Sequence, residues 1–156
     1  MSKLLAKFMT IAFVAIITGC FYSVDVTNDP DFYAGYRKGQ IYETKMDLYI
    51  IYGWGNYLEV PGEYTPRTDK YLKNTSKYTD IKGILNKKSM VRVEKLSYWR
   101  TFESSYFDIY ARILNGEYKN EIVELSLVSK KIFDLNPKGV FLRKPDPTIL
   151  TLIKSD

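Results

Sequence analysis

Hydrophobic and polar positions alternate most cleanly over residues 106–114. Phe107, Ile109, Ala111 and Ile113 point one way, and Tyr106, Asp108, Tyr110 and Arg112 point the other. A period of two is that of a strand with one face in a core and one in water. Asn115-Gly116 follows at once, a hairpin signal because both turn positions favour positive φ, and a return strand is predicted over 118–126. Upstream, residues 89–96 set Val91 and Val93 against Arg92 and Glu94. Residues 80–85 lead into that strand through a polar turn at Asn86-Lys87-Lys88, and 97–104 join it to the long strand. Runs of β-branched and aromatic residues predict further strands over 40–44, 47–52 and 148–153. Residues 130–138 predict a short strand or turn, and 140–142 a brief pairing. Residues 32–37 (FYAGYR) read as one helical turn or a packing plug. Tyr57, Tyr64, Tyr71 and Tyr78 recur at helical spacing, but Pro61, Gly62 and Pro66 break any long helix there, so 56–77 is predicted as a long irregular loop. The expected fold is all-β, a small antiparallel barrel or sandwich.

The start of the chain follows another pattern. Lys3 and Lys7 precede an apolar run over residues 8–17, interrupted only by Thr10. The run is shorter than the roughly 20 residues that span a bilayer, and it has the layout of a secretory signal peptide. It ends in Ile17-Thr18-Gly19-Cys20, which resembles the lipobox of bacterial lipoproteins. That resemblance implies cleavage before Cys20 and lipidation of its thiol. The expected organisation is then a signal peptide over 1–19, a lipidated N-terminus and short tether over 20–31, and one β-rich domain over 32–156. The resemblance also implies a membrane partner through the lipid and a place in the bacterial cell envelope. Phe21, where Asp is associated with inner-membrane retention, favours the periplasmic face of the outer membrane if the source has two membranes.

From residue 80 the order is Gly-Ile-Leu, a basic turn, a V-x-V strand, a loop, a long alternating strand, an Asn-Gly hairpin and a return strand. This resembles the meander of bacterial SH3-like barrels, with Ser89 where those have glycine. The resemblance implies a small closed barrel and no particular function.

Composition narrows the chemistry. The formal charge is +5, but Lys3 and Lys7 belong to the signal segment, which weakens any nucleic-acid reading. The chain has no histidine and one cysteine. Ser-His-Asp and Cys-His catalysis are excluded, as is histidine-ligated zinc, and a lipidated Cys20 forms no disulfide. No cofactor, metal or catalytic residue is implied. The conceivable carboxylate pairs are Glu43 with Asp47, Glu117 with Glu121, and Asp108 with Glu124, although solvated strand positions account for them too. Fourteen tyrosines and two tryptophans suit strands whose rings pack while their polar atoms stay wet. Trp54, held between Gly53 and Gly55, is either a core plug or a residue presented at a loop tip. Lys82, Lys87, Lys88, Arg92 and Lys95 form a basic cluster, read as a solvated edge or as a patch for an acidic partner. The candidate contacts are therefore Trp54, Trp99, Tyr110, Lys87, Lys88 and Arg92. The expected function is non-catalytic binding of a protein, peptide or glycan partner. The alternatives are a carboxylate-based cell-wall glycan hydrolase, and an inhibitor or assembly factor that uses the 56–77 loop.

Overall fold

The computed structural model describes residues 22–52, 55–60, 80–100 and 104–155. Among these the chain is all-β: β1 (Tyr22–Asp25), β2 (Ile41–Thr44), β3 (Leu48–Tyr52), β4 (Asn56–Glu59), β5 (Asp80–Leu85), β6 (Met90–Arg100), β7 (Ser105–Ile113), β8 (Ile122–Glu124), β9 (Ser129–Leu135), β10 (Phe141–Pro145) and β11 (Leu150–Lys154). Nine strands form one sheet in the order β11-β2-β6-β7-β8-β4-β3-β5, with β1 also paired to β6, while β9 and β10 form a separate two-stranded sheet. The path begins at β11 and ends at β5, so the sheet is open and not the closed SH3-like barrel that the meander implies. Nearly every pairing is antiparallel; β4 meets β8 in parallel through Tyr57 and Glu124.

The β6–β7 ladder supplies seven of the buried core side chains among the described residues. Val91 faces Ile113, Val93 faces Ala111 and Leu96 faces Ile109, and all six side chains are fully buried. Strict alternation from Val91 and Val93 would turn Lys95 inward and Leu96 outward. A register shift between Val93 and Lys95 prevents this. One extra residue in β6 resets the alternation, so Leu96 and Tyr98 join the core side. The strand then continues through residues 97–100, which the sequence pattern assigns to a loop.

The expected tether is already part of the sheet. Tyr22–Asp25 pair with Arg100, Trp99, Tyr98 and Ser97. Val26 and Thr27 are buried, and the Thr27 hydroxyl accepts the Leu96 backbone N–H at 3.0 Å. Phe32 and Tyr36 are buried too, so the FYAGYR stretch packs as a plug. The hairpin after β7 is longer than Asn115-Gly116 alone predicts. Gly116 (φ +80°) and Asn120 (φ +75°) take positive φ, and Asn120 N–H closes the loop on the Ile113 carbonyl at 2.8 Å. The Asn115 side chain instead accepts the Met90 N–H at 2.7 Å, tying the loop to β6. Residues 56–59, expected in the long loop, form β4. The rest of that loop, from residue 61 onward, lies outside the described residues.

Candidate functional site

The outward face of β7 carries Tyr106, Asp108 and Tyr110, and its neighbours complete a groove. On β6, Trp99 lies opposite Tyr106. On β8, Glu124 lies opposite Tyr110. On β4, Tyr57 pairs with the same Glu124. Two adjoining hollows follow from this arrangement. One, about 510 Å³, is bounded by Gly55, Asn56, Trp99 and Tyr110, and the other, about 320 Å³, by Glu59, Tyr106, Leu127 and Arg143; both share Tyr57, Asp108 and Glu124. Ile51 also lines the second hollow, since strand alternation sets Ile50 in the core and turns its neighbour to the other face.

The polar atoms form a connected set. Trp99, which is 42% exposed, brings its indole N–H close enough to the Tyr110 hydroxyl to favour that hydroxyl's ionised form. That hydroxyl in turn points at the Asp108 carboxylate at 3.5 Å, the long limit of a hydrogen bond. Burial raises the Asp108 pKa, and the Tyr110 hydroxyl and the Arg143 cation offset this only in part. Burial also raises Glu124, with Asp108 adding like-charge repulsion, against the opposing pull of Ser126 and Arg143. The Ser126 hydroxyl is buried beside Glu124, close enough to favour its charged form, yet has no well-formed hydrogen bond among the described residues. Tyr110 is pushed up to about 12, by burial first and then by the charges of Asp108 and Glu124. Glu59 is raised by burial. The groove thus holds carboxyls whose charge is undercompensated, flanked by aromatic rings. Arg143 is itself held by the Ser126 carbonyl at 2.6 Å.

A larger hollow, about 730 Å³, opens between the start of the domain and β6. Its acids are already engaged: Asp25 with the Thr27 N–H, Asp29 with Lys138, and Glu94 with Arg92 and Arg112. The groove on β7 is the better candidate because its acids are not so committed.

Of the contacts expected from sequence, Trp99 and Tyr110 meet in this groove. Cys20 and Trp54 lie outside the described residues. Lys87 and Lys88 are exposed in the β5–β6 turn, where Lys88 adopts φ +69° and the Lys87 N–H bonds Asp47. Arg92 is exposed and paired with Glu94 at 2.9 Å. Seven residues of strand separate Arg92 from Trp99, roughly 20 Å, so the basic residues and the aromatic ones form no common site. Lys82 pairs with Glu121 at 2.6 Å, and neither Glu117 nor Glu121 lines the groove. Asp47 accepts from Lys87, and neither it nor Glu43 lines the groove. Asp108 with Glu124 is the carboxylate pair that shares a cavity. Tyr57, Glu59, Ser126 and Arg143 were not foreseeable, since long-range pairings bring them in from β4, β10 and the turn after β8. Among the described residues, no group of three or more Asp, Glu, Cys or His is placed to hold a metal ion. No family model, curated protein or solved structure matches the chain.

Proposed function

We propose that this chain is an envelope lipoprotein, anchored through Cys20, whose β domain binds a glycan of the cell wall in the groove along β7 without transforming it. The observation that carries this reading is the half-exposed Trp99, lining one cavity with Tyr110, Asp108 and Glu124. An aromatic face offers a flat apolar surface to the C–H side of a sugar ring, and carboxyls beside it exchange hydrogen bonds with hydroxyls. The lipobox motif supports the anchor, and with no transmembrane segment required the domain acts at the membrane surface. Co-sedimentation of the purified chain with cell-wall glycan tests it. Trp99→Ala and Asp108→Asn are expected to lose binding, whereas a Lys87→Ala, Lys88→Ala double variant keeps it. No sedimentation of the wild type, or equal loss in the lysine variant, contradicts the reading.

A second reading rests on the same carboxyls. Glycoside hydrolysis uses two carboxyl groups in one cleft, one of them held protonated as the acid. Asp108 and Glu124 share a cleft, and burial favours the protonated form of each. Under this reading the glycan is cut, and reducing ends appear with wild type but not with Asp108→Asn or Glu124→Gln. Binding without release of reducing ends favours the first reading.

A further inference from the structure

The start of β1 fixes where the domain sits relative to its anchor. Tyr22 already pairs with Arg100 on β6, so only one residue separates the sheet from Cys20. An extended chain advances at most about 3.6 Å per residue, so the Tyr22 Cα lies within about 7 Å of the Cys20 Cα. No stalk intervenes. The end of the sheet where β1, the last residues of β6 and the first of β7 meet must therefore lie against whatever holds the lipid.

That end has the composition of an interfacial surface. Tyr22 (44% exposed), Val24 (41%), Trp99 and Tyr106 (55%) present apolar surface to solvent, and Arg100 is exposed among them. Tyr22 and Val24 share one face of the sheet, as Tyr22 sets its ring edge-on against Tyr98 at 6.2 Å. Trp99 and Tyr106 lie opposite one another on the other face. Both faces are thus apolar and aromatic at this tip. At the far end of β6, the β5–β6 turn is instead Asn86-Lys87-Lys88, polar and exposed. Tyr and Trp favour the boundary between acyl chains and headgroups, where the ring is dry and the polar atom wet, and an arginine beside them faces headgroup phosphates.

We infer that the tip formed by Tyr22, Val24 and Arg100 rests in the phospholipid headgroup layer, with the long axis of β6 rising away from the membrane and Trp99 and Tyr106, on the opposite face, at the edge of that layer where the groove opens. The inference rests on the proposed lipidation of Cys20. It places the Trp99 end of the groove at the bilayer surface and the Leu127 end farther along β7's neighbours.

The test uses the full lipidated chain carrying Trp54→Phe, so that Trp99 is its single tryptophan, in vesicles of anionic phospholipid brominated near the headgroup. Flotation first reports the anchor. Emission from Trp99 is expected to be quenched by the brominated lipid and shifted to the blue relative to detergent. Vesicles that float the protein yet leave Trp99 emission the same in plain and brominated lipid overturn the placement and leave the anchor standing. Protein that does not float overturns the anchor, and the placement with it. Should Trp54→Phe impair folding, Ser105→Cys and Lys87→Cys spin labels on the otherwise native chain give the same reading. The Ser105 label is expected to be shielded from a water-soluble relaxant and the Lys87 label open to it; equal accessibility overturns the proposal.

Discussion

The indole of Trp99 on β6 reaches the hydroxyl of Tyr110 on β7, near enough to favour its ionised form, although the two strand positions are not opposite one another. Trp99 faces Tyr106 and Tyr110 faces Lys95 in the ladder, so the approach runs diagonally along the outward face, beside Asp108, which lines the same hollow. Tyr110→Phe keeps the ring and removes the hydroxyl that the indole approaches and that donates to Asp108. It is expected to cost about 1 kcal/mol of stability and to weaken glycan binding, as the indole loses its fixed orientation. Chemical denaturation and co-sedimentation of the same variant check both.

The pH dependence of stability follows from the groove acids. Asp108 and Glu124 have folded-state pKa values raised above 3.8 and 4.5, chiefly by burial. A carboxyl raised in the folded state binds its proton more tightly there than in the unfolded chain. It therefore costs nothing below the ordinary carboxylate range, and its cost grows as pH rises through that range to its folded value. The Asp108→Asn, Glu124→Gln double variant is expected to be more stable than wild type at neutral pH, with the advantage shrinking towards pH 4. Urea unfolding at both pH values measures it. An advantage that grows on acidification contradicts the burial of these groups.

The extra residue in β6 has a direct consequence. Leu96 is fully buried and Lys95 is exposed, the reverse of what strict alternation from Val91 gives. Leu96→Ala is expected to cost about 2–5 kcal/mol, and Lys95→Ala less than about 0.5 kcal/mol. Thermal or urea denaturation of the two single variants separates the two registers.

Gly83 on β5 lies under the ring of Tyr118. A Cβ there would come within 1.8 Å of the Tyr118 hydroxyl. Gly83→Ala thus displaces the ring, at an expected cost of about 1–3 kcal/mol. In a Tyr118→Ala background the same substitution is expected to cost much less, and a double-mutant cycle reads the difference.

Much of this was legible in the chain. The alternation over 106–114 matches β7 within one residue, and it already sets Tyr106, Asp108 and Tyr110 on one face. The limits lie where a local pattern is reset by something distant. The shift in β6 hides the continuation of that strand, because Leu96 and Tyr98 break the alternation that Val91 and Val93 begin. Asn115-Gly116 promises a tight turn, yet the Asn115 side chain is drawn to the Met90 N–H and the loop closes farther on at Asn120. The groove needs Tyr57 and Glu124 side by side, through a parallel bridge between two residues 67 apart in sequence, and periodicity carries no sign of it. Polar residues at the start of the domain suggest a tether, but their backbone pairs with β6 whatever their side chains.

Photocrosslinking in intact cells tests the groove most directly. A benzophenone side chain is placed at Leu127, which is 51% exposed at the groove's rim, and in a separate chain at Lys88. Position 127 is expected to give a product with cell-wall material that is absent from position 88 and lost when Trp99→Ala is added. No product at 127, or equal product at both positions, contradicts a binding groove along β7.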